Sequence, residues 1–301
     1  MNDNTFAIPL VHNAVGIMTP FLLAATGGLF TELTGMLNIA LEGLMLIGAF
    51  FSVVFAAATG SLLMGILLGI LATMAVALMF GVISLYLKAN IFISGLATNL
   101  LASGLTVVLA FQLFGNKGVI RFENIQKLPV LSIPALQKIP VLGDLLIGHN
   151  ILVYVSWAVL FIAAVVIYRT PFGLRLRGTG MGKDTIASLG LNPTGYQLKA
   201  IIISGFTCGL AGAGLTLNLS AFVPNITSGR GWIALVAIYL GNKNPLGILI
   251  ACFVFGFAES FSNYAQGAMN MPAEIILAFP YIITVAAMIG YSIWRHYRAQ
   301  A

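Results

Sequence analysis

Residues 61–87, SLLMGILLGILATMAVALMFGVISLYL, contain no Asp, Glu, Lys, Arg or His. A water-soluble helix needs one polar face and a half-solvated strand needs polar residues at every second position; this run offers neither. At 1.5 Å per residue it is long enough, as a helix, to cross about 30 Å of hydrocarbon. Runs of the same kind occur at 11–31, 37–59, 90–115, 150–168, 198–222, 231–241, 245–263 and 272–292. A membrane β-barrel would alternate over segments of about ten residues, whereas these runs are continuous. The chain is therefore expected to be all-α, a polytopic membrane bundle of about 8–10 helices, some of them broken or half-length. The run 231–241 is too short to cross alone and reads as a half-helix or an irregular crossing. Small residues at helical spacing, Gly65 with Gly69 and Gly205 with Gly209, allow helix backbones to approach closely.

The whole composition agrees, since 59% of the 301 residues are hydrophobic and only 7% charged, outside the range of soluble domains. Cys208 and Cys252 both lie inside apolar runs, so buried thiols are expected rather than a disulfide or metal site. MNDNTFAIPL at the start carries an acid and no base, unlike a cleaved signal peptide, so the first span is expected to stay in the chain.

Lys and Arg set the orientation, because short cytoplasmic loops retain them. No Lys or Arg precedes Lys88. The segment 169–199 holds Arg169, Arg175, Arg177, Lys183 and Lys199 against a single acid, Asp184, and the C-terminal tail adds Arg295 and Arg298. Both segments are expected in the cytoplasm. The loop 116–149 then lies outside; Glu123 and Asp144 dilute its bases, and Pro129, Pro134 and Pro140 predict an ordered, non-helical cap.

Within the cytoplasmic loop, GMGKDTIASLGLNPTG (180–195) superficially suggests a phosphate-binding loop. The spacing of its glycines is one residue short of GxxxxGK[ST], and Asp184 stands where a hydroxyl should meet magnesium. A short helix over 183–190 is the better reading: Asp184 as N-cap, Gly190 in the left-handed C′ position and Pro193 as a stop. So short a helix is unstable alone in water, so something must hold it. It either lies on the lipid surface or docks in a groove of a cytoplasmic partner, with Ile186 and Leu189 facing outward.

Polar residues inside apolar runs are costly, on the order of several kcal/mol for an uncompensated charge, and so mark functional or supporting positions. Glu42 follows Asn38 by one helical turn and is expected to share its face. Arg230 opens the run GRGWIALVAIYLG after Asn225, Thr227 and Ser228. NIALEGLML (38–46) and NITSGRGWIAL (225–235) resemble each other, and the topology sends them in opposite directions, the pattern of an inverted repeat with broken helices. Glu42 reads first as a carboxylate that supports a broken helix, with substrate contact as the alternative; Arg230 reads as a tie for loop carbonyls. Asn99 and Asn218 suit hydrogen bonds between helices, with path lining the second reading. Glu32, Glu259 and Glu274 read as interfacial groups. His12, His149 and His296 are far apart in sequence, so no metal or catalytic site is predicted.

GMLNIALEGLMLIGAFF (35–51), ISGLATNLLASGL (93–105), LGLNPTGYQLKA (189–200), NITSGRGWIALVAIYLG (225–241) and MPAEIILAFPYIITV (271–285) resemble the permease subunits of bacterial ABC importers for nucleosides and simple sugars, within the superfamily of ribose and branched-chain amino-acid permeases. The resemblance covers nearly all of the chain except 116–149 and implies one transmembrane permease domain, 1–301, in the bacterial cytoplasmic (inner) membrane. It implies that Lys183, Asp184, Thr185, Ile186, Ala187, Ser188, Leu189 and Gly190 form the coupling helix at the ATPase interface. ATP and Mg would reside on that partner, with no cofactor on this chain. The other implied partners are a second permease, a heterodimer being preferred over a homodimer, and an extracytoplasmic substrate-binding lipoprotein. Asn38, Glu42, Asn99, Asn218, Asn225, Thr227 and Arg230 are the candidates for the translocation path or its support. A secondary transporter driven by an ion gradient is the competing reading, with Glu42 as its one candidate for coupling.

Overall fold

The computed structural model describes residues 4–123, 125–131 and 147–268, together with Ile282, Val285 and Ile289. The long helices are α1 (Asn4–Leu33), α2 (Leu41–Thr59), α3 (Leu62–Leu85), α4 (Ile91–Phe114), α5 (Ile151–Arg169), α8 (Pro193–Leu219) and α10 (Pro245–Ala268). Between them lie α6 (Pro171–Met181), α7 (Lys183–Ser188) and α9 (Arg230–Leu240), and two short strands, β1 (Ile120–Arg121) and β2 (Ala221–Phe222). Seven of these helices are long and apolar enough to cross a membrane. The expected span 272–292 lies outside the described residues apart from the three named, as do Glu274, His296, the tail bases Arg295 and Arg298, and Pro134, Pro140 and Asp144 of the loop.

Side chains define the ends of these helices. Asn90, Asn150 and Asn192 each accept amide hydrogen bonds from the first turn of α4, α5 and α8, and Ser61 does so for α3. Thr170 caps α6, and Pro171 and Pro193 occupy first-turn positions, where a missing N–H costs nothing.

α1, α2 and α8 form the centre, burying Phe21, Leu22, Leu44, Phe50, Ala213 and Leu217. α3, α4 and α5 surround it and turn Leu63, Leu71, Leu100, Val108 and Phe161 outward. An apolar exterior on that scale fits lipid as solvent. Inside, glycines let backbones touch. Gly65 and Gly69 of α3 abut Ser52 and Ala56 of α2, and Gly205 and Gly209 of α8 abut Ala77 and Ile70 of α3, the close approaches the small-residue spacing predicts.

Two faces of the bundle differ in chemistry. Lys88, α6, α7 and Lys243 lie at the end where α1 finishes, here called the basic face. The β1–β2 pair, with Ile120 opposite Phe222, and residues 147–150 lie at the other end, the loop face.

Each half of the chain contains an interrupted helix. After α1, Gly35 takes φ +76° and the chain turns back into the bundle. Residues 37–40 are not helical, and α2 begins only at Leu41, then runs to the loop face. Asn38 therefore does not share a helix face with Glu42 as expected from spacing. Its carboxamide instead donates to Ser204 Oγ on α8 at 2.9 Å and accepts the Ala40 N–H at 3.1 Å, a local turn that competes with helix. In the second half, α8 ends at Leu219 with Ser220 as its left-handed cap, β2 and a tight turn re-enter from the loop face, and α9 runs to the basic face. There Glu32 at the end of α1 receives Lys243 at 2.8 Å and the Tyr239 hydroxyl at 3.1 Å. Glu32 is thus a tie between two helix ends.

Candidate functional site

The two interruptions meet inside the bundle. Glu42, in the first turn of α2, accepts the N–H of Gly229 on Oε1 at 2.8 Å and that of Gly231 on Oε2 at 2.7 Å. These amides belong to the N-terminus of α9, where backbone donors have no partner within their own helix and the helix dipole favours negative charge. A carboxylate between two helix N-termini is compensated without a basic side chain. Gly231 is required by this fit: a Cβ there would collide with the Glu42 backbone.

α4 braces both breaks. Asn99 donates to the Ile39 carbonyl at 2.9 Å and accepts the Gly43 N–H at 2.8 Å. One turn further on, Ser103 donates to Asn225 Oδ1 at 2.9 Å. Thr227 is buried, and its carbonyl accepts the Arg230 N–H at 2.8 Å. Ser103, Ser204, Gly229 and Gly231 escaped sequence reasoning because a serine or glycine in an apolar run carries no distinguishing signal.

Arg230 points from this junction toward the loop face. Nη1 donates to the Ile226 carbonyl at 3.0 Å, and Nη2 pairs with Glu259 Oε1 of α10 at 2.5 Å. Glu259, read from the sequence as an interfacial group, thus neutralises Arg230. The pair edges a cavity of about 1440 Å³ between α1, α8, α10 and residues 148–150. Of the polar candidates named from sequence, only Asn218 and Arg230 line it; Asn38, Glu42, Asn99, Asn225 and Thr227 do not. His12 and His149, distant in sequence, stack at its wall with ring centroids 3.9 Å apart.

At the basic face, α6 and α7 fold onto each other. Ile186 is buried and its Cδ1 occupies the space a side chain at Gly178 would fill. The expectation that Ile186 faces outward is thus overturned: the missing side chain of Gly178 makes a notch, and Ile186 fills it. Leu174, Leu189 and Met181 are exposed large apolar residues here, at 65%, 69% and 92%. Nor is Asp184 the N-cap. The helix starts at Lys183, after Gly182, and Asp184 sits in its first turn. At the other end Gly190 adopts φ +76°, its N–H bonds the Ala187 carbonyl and that of Leu191 the Ile186 carbonyl, a two-bond left-handed cap. Gly180 packs against the Leu33 carbonyl and Gly35, so α6 rests on the turn that opens the first interruption. Lys183, Thr185, Ala187 and Ser188 are exposed around this surface.

Residues 10–288 match the family described as branched-chain amino acid transport system / permease component. The chain is similar to the guanosine ABC transporter permease protein NupQ of Bacillus subtilis (strain 168), 34% identical over 90% of this chain and 88% of that protein. It is also similar to the nucleoside ABC transporter permease protein NupC of Lactococcus lactis subsp. cremoris, 31% identical over 95% of this chain and 92% of that protein. Among solved structures, an ABC transporter in an inward-facing conformation shares the fold, with a TM-score of 0.52 at 15% identity, over 97% of this chain and 89% of that one.

Proposed function

The chain belongs to the permease-component family of branched-chain amino acid transport systems, and on that premise we propose that it imports nucleosides as the membrane subunit of an ATP-driven transporter. It is a multi-pass membrane protein and a transport component; the substrate, the partners and the orientation are the proposed part. Similarity over nine-tenths of the chain to a guanosine permease and a nucleoside permease carries the substrate reading.

In this reading the basic face is cytoplasmic, following the retention of Lys and Arg on that side, and the C-terminus lies there too. The exposed surface of α6 and α7, with Met181 and Leu189 at its crest, receives an ATPase subunit that binds ATP and Mg and performs the hydrolysis. The cavity opens toward an extracytoplasmic binding protein that delivers the solute. A second permease completes the path, preferably a different chain. The Glu42 junction is structural support for the broken helices, and Asn218 and Arg230 face the path. None of the comparisons supports the ion-driven alternative, and Glu42, its one candidate, has both carboxylate oxygens engaged by helix amides.

The test is reconstitution. The chain, co-purified with its ATPase, should take up labelled guanosine or uridine into proteoliposomes on ATP addition, and more strongly with the binding protein. Uptake driven by a proton gradient with this chain alone would refute the proposal.

A further inference from the structure

We propose that Asn13, Asn218 and Asn263 form a solute-binding subsite in the cavity, selective for uncharged, multiply hydrogen-bonding solutes of the nucleoside class over their phosphorylated counterparts. The inference rests on the importer reading and adds to it that the permease itself discriminates.

The three carboxamides come from three helices, α1, α8 and α10, and converge on one cavity. Polar side chains in membrane helices ordinarily spend their hydrogen bonds on neighbouring helices, as Asn99 does on Ile39 and Gly43. Asn13, Asn218 and Asn263 are exposed to the cavity and make no side-chain hydrogen bond among the described residues. Each carboxamide offers a donor and an acceptor side by side, the complement of a nucleobase edge or a ribose diol.

Charge decides what is rejected. Arg230 and Glu259 are the only Asp, Glu, Lys or Arg side chains lining the cavity among the described residues, and they are paired to each other. A second guanidinium hydrogen bond goes to the Ile226 carbonyl. A phosphate entering here meets a guanidinium whose charge Glu259 already neutralises, whereas the carboxamides offer a neutral nucleoside both donors and acceptors in exchange for water. The volume of about 1440 Å³ exceeds the few hundred to about 1000 Å³ of tight ligand pockets, which suits a transit site whose occupant must leave again.

The experiment uses the assembled complex with its ATPase and second permease. ATP-driven guanosine uptake by the wild type is measured first; its absence sinks the importer reading, on which the subsite depends. Given uptake, binding of tritiated guanosine to the complex without binding protein is measured with guanosine 5′-monophosphate as competitor. Asn13→Leu, Asn218→Leu and Asn263→Leu should each weaken binding roughly five-fold, the effect of one net hydrogen bond, and Asn13→Gln should recover much of it. Co-purification of each variant with its ATPase and second permease in wild-type stoichiometry shows that the variants assemble. Wild-type affinity in all three leucine variants, or competition by the monophosphate equal to that of guanosine, overturns the subsite. Should Asn218→Leu fail to assemble, Asn13→Leu decides alone, its side chain being exposed and without a packing role.

Discussion

Glu42 Oε2 accepts the N–H of Gly231 at 2.7 Å, while the backbones of the two residues touch. Residues far apart in the chain thus join the starts of two helices that run to opposite faces. Each helix supplies what the other lacks: α9 has orphan donors, and α2 carries a carboxylate in its first turn.

Removing that carboxylate should therefore cost more than an ordinary surface change. Glu42→Ala leaves two amides inside the bundle without a partner and should lower stability by about 2–3 kcal/mol, in the range of lost charge-assisted hydrogen bonds. Glu42→Gln keeps one acceptor oxygen and should cost about half as much. Thermal unfolding of the detergent-solubilised protein reads both; an Ala variant melting with the wild type would count against the junction.

The corrected orientation of α7 separates two effects that sequence alone would merge. Met181→Asp with Leu189→Asp alters only exposed positions and should leave the bundle intact while ATPase activity ceases to drive uptake. Ile186→Asp places a charge in the notch over Gly178 and should instead loosen α6 and α7. Limited proteolysis between Arg169 and Lys199 tells them apart: faster cleavage is expected for Ile186→Asp alone. Coupled transport by the double variant would remove the docking assignment.

Arg230 and Glu259 are about one-fifth exposed, at 22% and 19%, so their pairing is only partly screened. Arg230→Gln or Glu259→Gln leaves a lone charge beside the cavity and should cost about 1–3 kcal/mol. The double variant Arg230→Gln with Glu259→Gln should recover part of it, giving a coupling energy of about 1–2 kcal/mol in a double-mutant cycle. Strict additivity of the two single effects would show that the pair contributes nothing.

The spans were legible because hydropathy and length are local properties, and the half-helix was legible for the same reason: 231–241 is too short to cross, and α9 is indeed Arg230–Leu240. The relation between NIALEG and NITSGRG was also readable, because a charge followed by glycine is rare in an apolar run. The start of α2 was not. Leu37, Ile39 and Ala40 continue the hydrophobic pattern through a stretch that is not helical, and what breaks it is a hydrogen bond from Asn38 to Ser204, a partner on another helix. Ile186 was misread for a related reason: periodicity identifies an apolar residue on a short helix but cannot say that a glycine opposite has left room for it. The stack of His12 on His149 depends wholly on tertiary folding.

Gly180 lies directly against Leu33 and Gly35, and Gln197 Nε2 donates to the Thr34 carbonyl at 3.1 Å, so the knuckle between α1 and α2 is gripped from two sides. With no side chain to cushion the contact at Gly180, α6 bears directly on that knuckle, and the stretch that follows it leads to Glu42, whose carboxylate holds the amides on either side of Arg230 at the rim of the cavity.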